Sequence, residues 1–334
     1  MLTMQHSSPV SGDMLIKITY RLGNNMYCFS ARHVFTLLLT LFCSSYAAHG
    51  APCNIESSTQ EVEQGTIPYR SAGSGSEVLL LHGLFAQKEQ WDEVLCALAQ
   101  AGFHASAPDL PGYGQSTGYA MAAYALEEQV ALLEKFMKAR GVARFHLAGN
   151  SMGGTIAAMY ANRHPKNVMS LAFVGGALGI GDWSAPVKQA IFNGINPFIP
   201  VNEAELDLEL SLLLNKVPAI PESTKNAMVR PYLDKHEHYQ QVWNIVSLYG
   251  GVMKTMKPSH VRTLILWGER DQVFDVAGAR ALAQKYPHSR RFLMPGVGHL
   301  PMLDAPTTVA AHYIAFLIQA EQHSGRISKS GKIQ

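Results

Sequence analysis

The stretch Arg144-Phe-His-Leu-Ala-Gly-Asn-Ser-Met-Gly-Gly154 decides the fold of this chain. Apolar residues lead into Gly149, and a helical pattern occupies residues 155–163. This order predicts a strand, a sharp turn with Ser151 at its apex, and a helix, so that the serine hydroxyl projects clear of both elements. We interpret the turn as a nucleophile elbow. A chance Gly-x-Ser-x-Gly is the alternative, because the chain has 28 glycines.

Apolar runs alternate with helical patterns along most of the chain. The runs Glu77-Val-Leu-Leu-Leu-His-Gly83 and Thr263-Leu-Ile-Leu-Trp-Gly268 are typical of strands buried on both faces of a parallel sheet. Further strands are predicted at residues 60–70, 104–109, 167–174 and 291–294, and helices at 91–100, 121–140, 276–285 and 306–319. The pattern predicts an α/β fold with a mostly parallel, doubly wound sheet.

The alternation stops between residues 177 and 257, where the pattern is mostly helical and rich in proline. We predict that this stretch is an inserted helical cap. It would divide the core into two parts, residues 48–176 and residues 258–322. Residues 323–334 are polar and basic, and we expect them to form a frayed tail.

Residues 1–47 are predicted to be a signal peptide with an extension rather than part of the fold. Val34-Phe-Thr-Leu-Leu-Leu-Thr-Leu-Phe-Cys43 is too short to span a bilayer, follows Arg32 and precedes small residues. We therefore predict export, to the periplasm or outside the cell, with cleavage after Ala47. Met26 is a candidate for the true start, and a membrane-associated protein is the alternative.

Cys53 and Cys96 would remain after cleavage. Cys96 lies within an apolar helical pattern, which favours a buried thiol. A disulfide between the two cysteines is the alternative, and sequence spacing does not decide between these interpretations.

A serine hydroxyl is a poor nucleophile until a base removes its proton, and a histidine oriented by a carboxylate suits that role. His299 is the candidate base, because it lies in the glycine-rich loop Pro295-Gly-Val-Gly-His-Leu-Pro301 after the last predicted strand. Asp271 is the candidate acid, because it follows a strand end and lies between the serine and the histidine in the chain. Glu269 and Asp275 are the alternatives.

Backbone amides are expected to stabilise the oxyanion that develops on the substrate. The predicted donors are Met152, which follows the serine, and Leu84, which follows the first buried strand. Phe85 is the alternative to Leu84. This chemistry needs no metal or cofactor, and the sequence has no zinc or phosphate-loop spacing, so we predict neither.

Five motifs, in this order, resemble the α/β-hydrolase superfamily from about residue 60 to 320. They are His82-Gly-Leu-Phe85, Asp109-Leu-Pro-Gly-Tyr-Gly-Gln-Ser116, Gly149-Asn-Ser-Met-Gly-Gly154, Trp267-Gly-Glu-Arg-Asp-Gln-Val273 and Val297-Gly-His-Leu-Pro-Met302. Within the superfamily the serine, aspartate and histidine motifs are similar to those of bacterial family V lipases. Residues 271–279 also resemble membrane-associated monoacylglycerol lipases.

The resemblance implies hydrolysis of carboxylic esters of acyl lipids. It assigns Ser151 as nucleophile, Asp271 as acid and His299 as base, with an oxyanion hole formed by Leu84 and Met152. A hydrolase of this fold that cleaves a carbon–carbon, amide or thioester bond is the alternative. A non-catalytic binding module is less favoured, because all three members of the triad are present.

The expected partner is a small-molecule acyl ester or lipid, and a transient contact with a lipid surface is also expected. Phe85 and Trp183 are the candidate substrate-binding residues, although packing within the cap is an alternative role for apolar residues there. The formal charge of +2 argues against a nucleic-acid partner. The sequence does not predict the oligomeric state.

Overall fold

The structure, a computed structural model, describes residues 17–22, 25–30 and 53–330, with side chains for residues 53–322. The chain divides into two compact units, residues 1–48 and residues 49–334. In the first unit, strands β1 (Lys17–Leu22) and β2 (Asn25–Ser30) pair antiparallel. The predicted apolar core of the signal peptide, residues 34–43, and its predicted cleavage site lie outside the described residues.

One sheet of eight strands organises the second unit. Its strands are β3 (Glu56–Val62), β4 (Gly65–Gly73), β5 (Ser76–Leu81), β6 (Phe103–Pro108), β7 (Phe145–Ser151), β8 (Val168–Ala177), β9 (Thr263–Gly268) and β10 (Ser289–Met294). They lie in the order β10-β9-β8-β7-β5-β6-β4-β3. Only β4 pairs antiparallel, with β3 and with β6, so the predicted mostly parallel sheet is confirmed.

The continuous apolar runs form the centre of this sheet. Every residue of β9 is buried, and so are the last five residues of β5. Such strands require cover on both faces, because each successive side chain points to the opposite side of the sheet. Helices supply that cover in two pairs, and the sequence pattern correctly predicted this layered arrangement.

The helices are α1 (Asp92–Gln100), α2 (Leu126–Ala139), α3 (Met152–Arg163), α4 (Ala185–Phe192), α5 (Glu203–Leu213), α6 (Glu222–Asp234), α7 (His236–Ser247), α8 (Val252–Thr255), α9 (Gly278–Lys285), α10 (Pro301–Asp304) and α11 (Pro306–Ser330). Helix α1 packs with α11, and α2 packs with α3. Within the described residues, no helix has both the length and the hydropathy needed to cross a membrane.

Helices α4 to α8 lie between β8 and β9, in the stretch where the sequence predicted a cap. We call residues 178–262 the helical segment. The first two helices of this segment begin at residues whose side chains cap the helix N-terminus. The Ser184 hydroxyl accepts a hydrogen bond from the Val187 amide at 3.3 Å, and Asn202 accepts one from the Glu205 amide at 2.9 Å.

Some boundaries differ from the sequence-based expectation. Strand β8 does not end before Gly175 but continues to Ala177, and within it Gly175 and Gly176 adopt φ values of 75° and 84° that other residues rarely adopt. Short 3₁₀ helices, Lys88–Trp91 and Met121–Tyr124, precede α1 and α2. Helix α11 extends to Ser330, past the predicted end at residue 319 and into the predicted tail.

Cys53 and Cys96 form a disulfide with their Cα atoms 5.5 Å apart. The interpretation of Cys96 as a free buried thiol is therefore wrong. The bond ties the chain before β3 to α1, and it depends on where those two elements meet in the folded sheet. Sequence spacing carries no information about that distance.

Replacing both cysteines, as Cys53→Ser/Cys96→Ser, should lower the free energy of unfolding by about 2–4 kcal/mol. Without the bond, the two cysteines, which are 43 residues apart in the sequence, no longer close a loop that restricts the unfolded chain. Denaturant titration without reductant measures the difference. Reductant should lower the wild-type midpoint and leave that of the variant unchanged, whereas equal midpoints for the two oxidised proteins would contradict the prediction.

Candidate active site

Ser151 joins β7 to α3 with φ 54° and ψ −116°. In the described part of the chain only Phe85 shares a positive φ among non-glycine residues. The turn is tight because a Cβ on Gly149 would overlap the Gly153 carbonyl, and one on Gly153 would lie 2.6 Å from the Leu81 carbonyl oxygen. The half-buried serine is thereby held at the N-terminal end of α3, where the helix dipole favours negative charge.

His299 and Asp271 form a buried pair. His299 Nδ1 lies 3.0 Å from Asp271 Oδ2, and the two side chains are 3% and 0% exposed. The other carboxylate oxygen accepts hydrogen bonds from the Val273 and Phe274 amides at 2.8 and 3.0 Å. We assign the ring proton to Nδ1, because an ionised carboxylate can only accept hydrogen bonds. His299 Nε2 is then left with a lone pair that can take up a proton.

Glu269 and Asp275, the alternatives for the acid, are both exposed. The Asp275 carboxylate accepts a hydrogen bond from the Ala277 amide at 2.8 Å. Within residues 53–322 neither side chain forms a hydrogen bond or an ion pair with the His299 ring. The structure brings Asp271, and not its two neighbours, to the histidine.

Asn150 connects the elbow to the histidine loop. Its side-chain amide donates hydrogen bonds to the Val174 carbonyl at 2.8 Å and to the His299 carbonyl at 3.3 Å. Among the side-chain hydrogen bonds of residues 53–322, none joins the Ser151 hydroxyl to the His299 ring. Such a bond is often long before substrate binds and shortens in the complex.

The loop after β5 passes directly beside the elbow. A Cβ on Gly83 would lie 3.5 Å from the Ser151 Cβ. The next residue in the chain, Leu84, therefore begins beside the serine. Among the turn, loop and side-chain hydrogen bonds of residues 53–322, none is donated by the Leu84 or Met152 amide. Met152 is the first residue of α3, and early helix amides have no intrahelical partner. Both predicted donors therefore belong to segments that border the serine.

A buried polar network fixes this loop. Burial lowers the pKa of His82 to about 4, so its ring is neutral. His82 Nε2 accepts a hydrogen bond from the Leu110 amide at 2.9 Å, and Nδ1–H donates to the Gly83 carbonyl at 2.8 Å. The amide and the ammonium of Lys88 donate to the two oxygens of buried Asp109, at 2.9 and 2.6 Å. The loops after β5 and β6 are consequently held together.

The two predicted substrate-binding residues belong to different aromatic groups. Phe85 meets Tyr239 of α7 edge-on, with ring centroids 5.1 Å apart. Trp183 stacks on Phe274 at 5.2 Å, and Phe274 in turn meets the His299 ring edge-on at 5.1 Å. One ring therefore separates Trp183 from the histidine.

Sequence reasoning missed Tyr239 and Phe274. Phe274 lies three residues after the predicted acid, and that position is the one signal that could have identified it. Tyr239 belongs to no motif, and only the fold brings it to Phe85.

A family model described as the alpha/beta hydrolase fold matches residues 78–306. Lipase 1 of Psychrobacter immobilis is 28% identical over 249 residues, which cover 73% of this chain and 77% of that protein. Monoacylglycerol lipase ABHD6 of Homo sapiens is 28% identical over 263 residues, with 73% and 76% coverage. A crystal structure of a membrane phospholipase A, described as a bacterial virulence factor, matches with a TM-score of 0.72 and 30% identity, covering 86% of this chain and 92% of the other.

Replacing Gly153 with alanine should destabilise the protein by about 3 kcal/mol, because the new methyl group would press on the backbone at the end of β5. Thermal or denaturant unfolding of Gly153→Ala measures this cost. Gly251→Ala is the matched control, because a Cβ at Gly251 meets no atom within 4 Å. Equal stability of the two variants would show that the elbow has room for a Cβ at residue 153.

Proposed function

The chain belongs to the alpha/beta hydrolase fold family, and we propose that it is a serine hydrolase that cleaves carboxylic esters of acyl lipids. The observation that carries the proposal is the buried Asp271–His299 pair, whose histidine lies in the loop that Asn150 joins to the Ser151 elbow. The similarity to proteins named lipase and monoacylglycerol lipase supports an acyl ester as the substrate.

The proposed reaction is acyl transfer to Ser151 followed by hydrolysis. Ser151 Oγ attacks the ester carbonyl carbon while His299 Nε2 accepts the hydroxyl proton. The amides of Leu84 and Met152 stabilise the oxyanion. The carbonyl re-forms, the bond to the alcohol breaks, and the imidazolium gives its proton to the leaving alcohol.

Water then attacks the acyl-enzyme, and His299 again acts as base. Collapse of the second oxyanion releases the carboxylic acid, and the imidazolium returns a proton to Ser151 Oγ. Asp271 remains ionised throughout. It orients the imidazole and stabilises its charged form.

Ser151→Ala should abolish ester hydrolysis without unfolding the protein, and Asp271→Asn should lower kcat by about 10⁴, because the amide would favour the wrong imidazole tautomer. Asp275→Asn, four residues along the same loop, is the matched control and should retain near-normal activity. Steady-state kinetics with a p-nitrophenyl ester provides the measurement. A mild effect of Asp271→Asn together with a large effect of Asp275→Asn would move the acid to residue 275.

A fluorophosphonate probe and a substrate panel test the proposal as a whole. The probe should modify Ser151 in the wild type and leave Ser151→Ala unmodified. Esters of graded acyl length should be cleaved faster than a carbon–carbon substrate such as a diketone. Lack of any adduct on Ser151 would favour a non-catalytic role, and faster cleavage of the diketone would favour the other bond type.

We also propose that the protein is exported. The disulfide between Cys53 and Cys96 supports this, because such bonds persist in oxidising compartments. The apolar run at residues 34–43 supplies the expected signal. N-terminal sequencing of the mature protein would test the proposal, and a mature chain that still contains residues 34–43 would refute cleavage after residue 47.

We further propose that the helical segment touches a lipid surface during catalysis. Two of its large apolar side chains are almost fully exposed, Phe192 at 87% and Leu248 at 82%. Lys188 lies one helical turn before Phe192 on α4, where its exposed ammonium forms a 3.6 Å ion pair with Asp182, and it would face anionic lipid head-groups from the same side of the helix. An aromatic ring beside a lysine is typical of helices that lie in a membrane interface.

Phe192→Ser should reduce the hydrolysis of emulsified or vesicle-bound esters by about fivefold and leave hydrolysis of a soluble short-chain ester unchanged, since a phenyl ring contributes on the order of 1 kcal/mol or more to burial in an apolar phase. Ile318→Ser is the control, because Ile318 is an exposed apolar residue of α11, outside the helical segment. Equal losses on soluble and emulsified substrates would contradict a role at the lipid surface.

A further inference from the structure

A cavity of about 370 Å³ lies between the loop after β5, the loop after β6 and helix α7. Its lining includes Phe85, Tyr113, Tyr124, Lys235, His238 and Tyr239. Two of these residues are neighbours of the proposed oxyanion donors, one in the chain and one in space. Phe85 follows Leu84 in the chain, and the Tyr113 hydroxyl lies 3.5 Å from the sulfur of Met152. The cavity therefore borders the oxyanion side of the proposed active site.

Lys235 gives the cavity its positive charge. The lining also contains a histidine and no carboxylate. Within residues 53–322, the exposed Lys235 ammonium forms no ion pair or side-chain hydrogen bond, and the preceding acid, Asp234, is instead paired with Arg230 at 2.8 Å. An ammonium without a carboxylate partner, at the mouth of a cavity, favours an anionic ligand.

His238 adds a directed polar group. The Tyr124 hydroxyl donates to the Gly112 carbonyl at 2.8 Å, so its oxygen accepts from His238 Nε2 at 3.0 Å. No side-chain hydrogen bond of residues 53–322 uses Nδ1, which carries a lone pair in the neutral ring, and His238 lines the cavity. Burial, with Lys235 nearby, lowers the pKa of His238, so the ring is neutral until an anion stabilises the protonated form.

An acyl chain in this cavity would leave the His238 nitrogen without a partner, and burial of an unpaired polar group is costly. A phosphate would instead accept hydrogen bonds from several directions. The Lys235 ammonium and the hydroxyls of Thr117 and Tyr239 belong to residues that line the cavity, and the His238 ring can donate from Nδ1 once the bound anion has stabilised its protonated form. A phosphate oxygen has the charge and the number of lone pairs that these donors require.

We propose that the cavity binds a phosphate-bearing head-group of the acyl ester, with Lys235 as the residue that determines specificity for it. This inference rests on the proposed ester hydrolysis. It adds a head-group site beside the loop after β5, which carries Leu84. An acyl ester that carries a phosphate would then be preferred over the neutral ester of the same chain length.

The test compares two soluble substrates of equal acyl length, octanoylglycerol and octanoylglycerol phosphate. The wild type should show a higher kcat/KM for the phosphate ester. Lys235→Gln should lower kcat/KM for the phosphate ester about fivefold, mainly through KM, and leave the neutral ester unchanged, since a charged contact near the surface is worth up to about 1 kcal/mol. Lys235→Arg should largely restore the preference.

Lys216→Gln is the matched control, because Lys216 is an exposed lysine of the same helical segment that does not line the cavity. It should leave both substrates unaffected. Glycerol phosphate should compete with the phosphate ester in the wild type, and more weakly in Lys235→Gln.

Equal kcat/KM values for the two substrates in the wild type, or equal losses on both in Lys235→Gln, would overturn the head-group site and leave ester hydrolysis intact. A loss in Lys216→Gln as large as that in Lys235→Gln would also overturn it, because general charge would then explain the preference. Failure to cleave either substrate, with no probe adduct on Ser151, would overturn the proposed function itself.

Discussion

The close approach of backbone around Ser151 is the constraint on which the rest of the site depends. Strand β7, the first turn of α3 and the end of β5 meet where Gly149 and Gly153 leave no room for a Cβ. That contact holds the serine at a positive φ, which costs of the order of 1–3 kcal/mol elsewhere in a chain. The surrounding sheet, buried on both faces, offsets this strain through its apolar packing.

Hydrogen bonds attach the helical segment to the loop that carries His299. The amides of His299 and Leu300 both donate to the Leu213 carbonyl at the end of α5, at 3.0 and 3.2 Å. The Asp304 carboxylate accepts from the amides of Gly298 and Asn215, at 2.6 and 3.1 Å, and so joins the two segments again. A movement of α5 would therefore displace the loop that carries the candidate base. The position of the His299 loop is therefore tied to the position of α5.

Local signals explain what the sequence could predict. The elbow, the acid loop and the histidine loop each follow a strand end, so short motifs and their order suffice to place Ser151, Asp271 and His299 at one edge of the sheet. Contacts between distant segments had no such signal. The Cys53–Cys96 bond and the contact between Phe85 and Tyr239 depend on where loops meet after folding.

Glu209, in the helical segment, is another residue whose environment the sequence pattern did not predict. The sequence of α5 is acidic and leucine-rich, which is typical of a helix with a solvated acidic face, yet Glu209 is buried. Its one side-chain hydrogen bond within the described residues is a long contact of 3.5 Å from the Tyr232 hydroxyl. Burial raises the pKa of Glu209 from 4.5 to about 8. The folded chain then keeps a proton that the unfolded chain releases, so this residue lowers stability as the pH rises from about 4.5 to about 8.

The proposed active site is bordered by two kinds of environment, a hydrogen-bonded one at the triad and an aromatic one in the helical segment. The elbow and the Asp271–His299 pair rest on buried backbone and hydrogen bonds that allow little movement. Tyr232, which contacts Glu209, packs against Tyr239 with the two ring planes tilted by 39°, and Tyr239 meets Phe85 on the loop after β5. The buried acid therefore lies behind three aromatic rings. The interior of the helical segment at Glu209 is therefore apolar enough to keep a carboxyl group protonated near neutral pH.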